Sequence, residues 1–184
     1  MLMEGKEEII IQGMPYRVQR LLGHGKGGYS YLVESCGKQF VLKAIHHEPC
    51  SYYSFGNKIE AEERDYKTLL EARIPIPKML FLEREREIIL KEFIDGPSVF
   101  DLVLADVDVS PLIEEGKDIA KRAKEHGINI DYFPTNFIVR DGGLFYVDYE
   151  CNPYMEQWDF EHWGIKYWSK TPEFLEYWEG KAKD

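Results

Sequence analysis

The residues best suited to chemistry lie in one stretch, DYFPTNFIVRDGGLFYVDYE, from Asp131 to Glu150. A carboxylate (Asp131) is followed five residues later by an amide (Asn136), and a further acid, Asp148, comes after two apolar runs. Asp141-Gly142-Gly143 separates those runs and predicts a hairpin turn, because glycine supplies the positive φ that such turns need. Asn136 then stands at one base of the hairpin and Asp148 at the other, which sets two oxygen donors side by side. Two oxygen donors with a third acid nearby suit a hard cation such as Mg²⁺ holding phosphate. The chemistry this set suggests is phosphoryl transfer.

A second set lies upstream. Gly23-x-Gly25-x-x-Gly28 falls between two strand-like runs and is followed by YSYLV, a β-branched and aromatic segment rather than a helix. That context argues against a dinucleotide fold, in which a helix follows the glycines. A glycine-rich hairpin between antiparallel strands can instead lie over phosphates and offer them backbone N–H groups. Fifteen residues past Gly28 comes Lys43, in VLKAI. The next element, NKIEAEERDYKTLLEA (57–72), has helical periodicity with Ile59, Tyr66, Leu69 and Leu70 as its apolar stripe. Positions 59, 62, 63 and 66 share one helix face, so Glu62 and Glu63 both point near buried surface while Glu60 points elsewhere. An inward glutamate needs a cation, since an unpaired buried charge is costly. Lys43 is the candidate partner, with Glu62 preferred over Glu63, and the pair would hold the lysine on phosphates.

The elements that must position these residues follow from periodicity. EIIIQG, YRVQRLL, GYSYLVES and KQFVLKAI read as strands, with Cys36-Gly37-Lys38 as a turn. RIPIPKMLFLE ends the helix at its prolines and leads into a strand. EREIILKEFIDGPSV is a further strand running to Gly96-Pro97; in a two-lobed reading it connects the lobes and leaves the Lys91–Ile94 backbone available to an adenine edge, and otherwise it is a plain strand-to-loop exit. Ser98 or Asp101 starts a short helix through VFDLVLAD. Ser110 as N-cap and Pro111 at the first helical position open SPLIEEGKDIAKRAKEHG, whose core side is Leu112, Ile113, Ile119, Ala120 and Ala123, with Gly127 as the stop.

Composition bounds the class. The 184 residues carry a net charge of −10, with 44% hydrophobic and 14% aromatic residues. This is a globular chain of one domain or two small lobes. An acidic surface argues against nucleic-acid and anionic-membrane partners. Cys36, Cys50 and Cys151 share no metal spacing and read as reduced thiols. The charged start MLMEGKEE is unlike a signal peptide and no apolar run is long enough to span a membrane, so the expected location is cytoplasmic.

In order and spacing these parts resemble the protein-kinase-like fold, most closely its small atypical bacterial branch, related to the aminoglycoside and choline phosphotransferases. LGHGKGGYS is similar to the glycine-rich loop, VLK to the phosphate-binding lysine, Glu62 to its helical partner and KEFIDG to the hinge. DYFPTN resembles the catalytic-loop pattern D-x-x-x-x-N, VDYE stands where DFG belongs, and WDFEHWG resembles the D-x-W-x-x-G region. The resemblance implies an α+β, two-lobed single domain over residues 1–184. Its N-lobe (about 1–94) would be an antiparallel sheet with one helix, and its C-lobe (about 95–184) shortened and mainly helical. It implies ATP and Mg²⁺ as cofactors and a protein or small-molecule hydroxyl as acceptor. Asp131 would be the catalytic base, with Lys43 and Glu62 in the catalytic set and Asn136 and Asp148 on Mg²⁺. Gly23, Gly25, Gly28, Lys43 and the backbone of Glu92 and Ile94 would bind the nucleotide. Asp159 would be structural, where the family's aspartate braces the catalytic-loop backbone.

The departures are specific. Asn129 replaces the histidine usual before the catalytic aspartate, and Phe133 replaces the lysine of serine/threonine kinases. Ten residues separate Asp148 from Asp159, too few for an ordinary activation loop. The helices after Gly164 are reduced to TPEFLEYWEGK, and the late aromatics are expected to pack the shortened lobe. The expected activity is that of an atypical serine/threonine protein kinase. A small-molecule kinase and a nucleotide-binding pseudokinase acting as an interaction module are the alternatives.

Overall fold

The β-branched and aromatic runs of residues 8–45 form four antiparallel strands in the computed structural model, which describes residues 8–25, 27–47 and 57–181. Cys50, Lys26 of the glycine-rich stretch and the charged residues 1–7 lie outside the described residues. The fold is α+β. The chain divides into two compact units, Met1–Glu63 with Pro77–Phe93, and Arg64–Ile76 with Ile94–Asp184.

The first unit is a six-stranded antiparallel sheet. Strands β1 (Glu8–Ile11), β2 (Met14–His24), β3 (Gly28–Ser35), β4 (Lys38–Ile45), β5 (Met79–Glu83) and β6 (Ile88–Glu92) lie in the order β1-β2-β3-β4-β6-β5. Strand side chains alternate between faces. One face carries the buried cluster Ile11, Val18, Tyr31, Val33, Leu42, Ile88 and Leu90. In β4, Leu42 belongs to that cluster, so Val41 and Lys43 face the other way. Lys43 is opposite Ser30 of β3 and Ile89 of β6. The helix α1 (Lys58–Glu71) starts in this unit. Ile59 and Leu69 are buried as the periodicity requires, but Leu70 is 49% exposed. One residue is about 100° around a helix, enough to carry Leu70 off the buried stripe. Strand β6 ends at Glu92, short of Gly96, so Phe93–Asp95 belong to no strand.

The second unit holds the remaining α-helices of the described residues: α2 (Val99–Leu104), α3 (Ser110–Glu125) and α4 (Pro172–Lys181). Its strands are β7 (Ile128–Ile130), β8 (Phe137–Arg140), β9 (Gly143–Tyr146) and β10 (Cys151–Pro153), paired β7 with β10 and β8 with β9. Ser98, not Asp101, caps α2. Its hydroxyl accepts from the Asp101 N–H, and the Asp101 carboxylate accepts from the Ser98 N–H, a reciprocal cap. At α3 the cap is displaced by one residue. Val109 is the N-cap, and Ser110 gives both its N–H (2.9 Å) and its hydroxyl (2.6 Å) to Asp108. Of the expected core side of α3, Ile119 and Ala123 are buried, whereas Leu112, Ile113 and Ala120 are half-buried.

The late aromatics divide in their roles. Trp168 and Phe174 are fully buried, while Trp158 and Trp178 remain exposed. The Trp168 indole donates to the Tyr132 carbonyl at 2.8 Å. Among the described residues, no helix is long and apolar enough to cross a membrane.

Asp159 accepts from the Tyr154 hydroxyl (2.9 Å), the His162 N–H (2.9 Å) and the His162 ring (2.7 Å). These partners differ from the loop-backbone brace that the resemblance implies; side chains such as Trp168 and Tyr146 bond the 131–136 loop backbone instead. Burial pushes the Asp159 carboxyl up, but the hydrogen bonds from His162 and Tyr154 outweigh it, and the net shift is downward. The hydrogen bond to Asp159 holds the His162 imidazole above its ordinary value. The histidine contribution is complete below about pH 6.5 and fades as pH rises through the raised imidazole value. The aspartate contribution is complete above about pH 4 and is lost as pH falls through the depressed carboxyl value. His162→Gln should therefore lower Tm most near about pH 5.5, with the deficit shrinking on the alkaline side of the imidazole. Melting curves across that range check this, and a deficit independent of pH would contradict it.

Candidate functional site

In the first unit, register decides the geometry. Lys43 is buried on the sheet face turned away from the apolar cluster, so its ammonium must be neutralised there. Helix α1 presents two adjacent glutamates, and they take different partners. The Lys43 ammonium donates to Glu62 Oε1, whereas Glu63 is paired with Arg84 of the β5–β6 turn. Both side chains of the Lys43–Glu62 pair are nearly removed from solvent, at 9% and 12% exposure. Removing one partner from such a pair costs about 3–5 kcal/mol, far more than an exposed pair contributes.

The glycine-rich hairpin runs over this pair. A Cβ at Gly27 would stand 3.7 Å from Glu62 Oε1 and 3.9 Å from Lys43 Nζ. Gly27 lies outside the Gly23, Gly25, Gly28 pattern, and its place is set by the tight end of the hairpin, where the Gly25 N–H donates to the Gly28 carbonyl at 3.0 Å. The flanks are aromatic. His24 stacks on Tyr29 with ring centroids 4.3 Å apart, and the His24 and His46 Nε2 atoms lie 3.2 Å from each other. His46 Nε2 also lies 2.9 Å from the Gly25 carbonyl oxygen.

The three glycines of the pattern do different work. A Cβ at Gly23 or Gly25 would meet nothing within 4 Å, but one at Gly28 would stand 2.5 Å from the Ala44 carbonyl oxygen. Gly28 is thus required by the close approach of β3 to β4. At the end of β6, the Glu92 N–H donates to the Lys78 carbonyl at 2.9 Å. Ile94 is buried and opens the second part of the other unit.

In the second unit, β8 and β9 pair from Phe137–Tyr146 to Arg140–Gly143. Asp141 (φ 54°) and Gly142 (φ 80°) form the two-residue turn, and Gly143 already belongs to β9. Two positive φ values in sequence match the right-handed strand twist, and glycine removes the strain at the second position. The ladder continues past the strands, since the Val147 N–H donates to the Asn136 carbonyl at 2.9 Å. Asn136 and Asp148 are thereby brought to the same end of the hairpin. The Asn136 amide nitrogen donates to the Asp131 carbonyl at 3.4 Å, which leaves its oxygen as the atom to offer a cation. The Asp131 carboxylate accepts from the Phe133 N–H (3.1 Å), and the Asp148 carboxylate from the Tyr149 N–H (2.9 Å).

Tyr146 joins these parts. It is wholly buried, accepts the Asp131 N–H at 3.4 Å and donates its hydroxyl to the Glu150 carbonyl at 2.9 Å. Burial first, then the charges of Asp148, Asp131 and Glu150, holds its phenol well above the ordinary range. Three carboxylates acting on one phenol describe a place of concentrated negative charge. Asp148 and the Asn136 amide oxygen are the donors that this hairpin base would offer an oxygen-seeking dication. Among the described residues, no group of three or more His, Cys, Asp or Glu side chains has metal-ligand geometry. The hydroxyl of Tyr146 was not legible in the sequence, where it reads as one more aromatic of a buried strand.

Two neighbours complete the picture. Asn129 is buried and donates its amide to the Met155 carbonyl at 2.8 Å, so it secures the segment after β10. Cys151 is pushed up to about 12, by burial and then by the neighbouring Asp65, which leaves it without thiolate character at neutral pH.

Gly28→Ala should cost about 1–3 kcal/mol, because the Ala44 carbonyl belongs to a paired strand and cannot easily yield. Gly25→Ala should stay within about 0.5 kcal/mol of the parent. Denaturant titration of the two variants checks the difference, and equal stabilities would contradict it.

No protein-family model matches the chain, and no curated protein matches it.

Proposed function

We propose that the chain is an ATP- and Mg²⁺-dependent phosphotransferase of the protein-kinase-like kind, with the first unit as its nucleotide lobe and the second as its catalytic lobe. The observation that carries this reading is the buried Lys43–Glu62 pair beneath the glycine-rich hairpin. A lysine held in place by a carboxylate beneath a glycine-rich hairpin suits a polyphosphate. The collection of Asp131, Asn136 and Asp148 around one hairpin base supports the same reading.

In this reading Lys43 binds the α- and β-phosphates and Glu62 orients it. Gly23, Gly25 and Gly28 let the hairpin close over the nucleotide. The backbone of Glu92 and Ile94 meets the adenine edge. Asn136 and Asp148 would hold Mg²⁺, which neutralises phosphate charge when bound. Asp131 accepts the acceptor's hydroxyl proton. That oxygen forms a bond to the γ-phosphorus, the bond from that phosphorus to the β-phosphate's bridging oxygen breaks, and ADP leaves with the electron pair.

The acceptor in this reading is a protein hydroxyl. A small-molecule hydroxyl is the second reading, favoured by Phe133. Two residues after Asp131, it meets the rings of Tyr177 (4.5 Å), Tyr167 (5.0 Å) and Trp163 (6.4 Å), where a protein kinase would carry a lysine.

Asp131→Asn should reduce phosphate transfer from γ-labelled ATP by about 10²-fold or more while nucleotide binding persists. Lys43→Ala should lose the thermal stabilisation by ATP with Mg²⁺. Autophosphorylation, a generic protein acceptor and a panel of hydroxyl metabolites are the assays. If ATP with Mg²⁺ gives the parent no thermal shift, the reading fails. Binding with no transfer to any acceptor leaves a nucleotide-binding interaction module.

A further inference from the structure

A tyrosine buried on a β-strand ordinarily contributes its ring, and the hydroxyl is a cost unless it is hydrogen-bonded. Tyr146 uses its hydroxyl twice. One oxygen both accepts from the Asp131 N–H (3.4 Å) and donates to the Glu150 carbonyl (2.9 Å). These two backbone groups bound the stretch that carries Asp131, Asn136 and Asp148. The ring is held by other means. It packs on Phe137 with centroids 5.4 Å apart, and the Tyr146 N–H donates to the Pro75 carbonyl at 2.9 Å. The hydroxyl can therefore be removed without removing what fixes the ring.

We propose that Tyr146 is a positioning residue for Asp131: its buried hydroxyl ties the Asp131 amide to the Glu150 carbonyl and so fixes the 131–136 loop against the segment that carries Asp148. Asn129 does not do this, because its amide is turned to Met155. Trp168 fixes the next residue of the loop, at the Tyr132 carbonyl. A loop displaced by a fraction of an ångström loses the alignment between carboxylate and acceptor, while nucleotide binding does not depend on that alignment.

The kinetic part of the test rests on the phosphotransferase reading. Tyr146→Phe keeps ring and burial and deletes one oxygen. It should retain the ATP·Mg²⁺ thermal shift and a KM for ATP within about twofold of the parent, with kcat lowered about tenfold or more. Ile119→Val, a core truncation on α3, serves as the stability control and should lower Tm with kcat retained. Hydrogen exchange supplies a readout that does not need activity. The Asp131 amide should exchange with the slow core amides in the parent and faster in Tyr146→Phe, beyond any change in global stability. The proposal is overturned if kcat in Tyr146→Phe falls no more than in the control. It is also overturned if the parent's Asp131 amide exchanges as fast as exposed loop amides, a result readable even should the variant not fold. A parent that transfers no phosphate but shows the exchange difference counts against the phosphotransferase reading and supports the tether.

Discussion

A cation buried on a sheet face has to be neutralised where it stands, and that constraint organises the first unit. Strand alternation puts Leu42 in the apolar cluster and so commits Lys43 to the opposite face, beside Val41 and across from Ile89. The lysine cannot retreat without reversing the pairing of β3, β4 and β6 with it. Helix α1 must then arrive with a carboxylate in one place, and its turn-by-turn geometry makes Glu62 that residue while Glu63 is drawn to Arg84. A pair of this kind adds little net stability and is mainly a demand on register. The glycine-rich hairpin obeys the same demand, since Gly27 passes so close above the pair that the backbone itself forms its cover.

The second unit meets a different problem, that of holding several acids near each other. Its answer is a set of backbone bonds. The β8–β9 ladder runs on through Val147 and Asn136, Trp168 fixes the Tyr132 carbonyl, and Tyr146 spans from Asp131 to Glu150. None of these uses a charged side chain. Asp159 lies in the same unit but is saturated by Tyr154 and His162, which marks it as architecture.

Most of the secondary structure was readable from local rules. The alternating runs of residues 8–45 and the Asp141-Gly142 pair are set by backbone preference and by the faces of a pleated strand, both short-range properties. The spacing along α1 likewise singled out the inward glutamates. What escaped depends on distant partners or on single atoms. Leu70 reads as apolar stripe until the stripe's true width is known. Ser110 resembles a cap, but Asp108 draws its hydroxyl backwards. Gly28 resembles a loop glycine, although its reason is a carbonyl on the neighbouring strand. The Trp168 bond to Tyr132 joins residues 36 apart, and the role of Tyr146 rests on one oxygen in an otherwise apolar setting.

The Asp141-Gly142 turn has a kinetic consequence. It closes the shortest possible hairpin loop, so the bond from Val147 to Asn136 forms between chain segments that are never far apart. The entropy of closing a loop grows with its length, and local contacts form early. Asp131, Asn136 and Asp148 all sit within one run of twenty residues, from Asp131 to Glu150. Lys43 is different: its cross-strand neighbour Ile89 reaches it only after the excursion through α1 and residues 64–76, which belong to the other unit. The three acidic-hairpin residues can thus assemble from their own local chain. Lys43 waits for a strand that returns from far along the sequence.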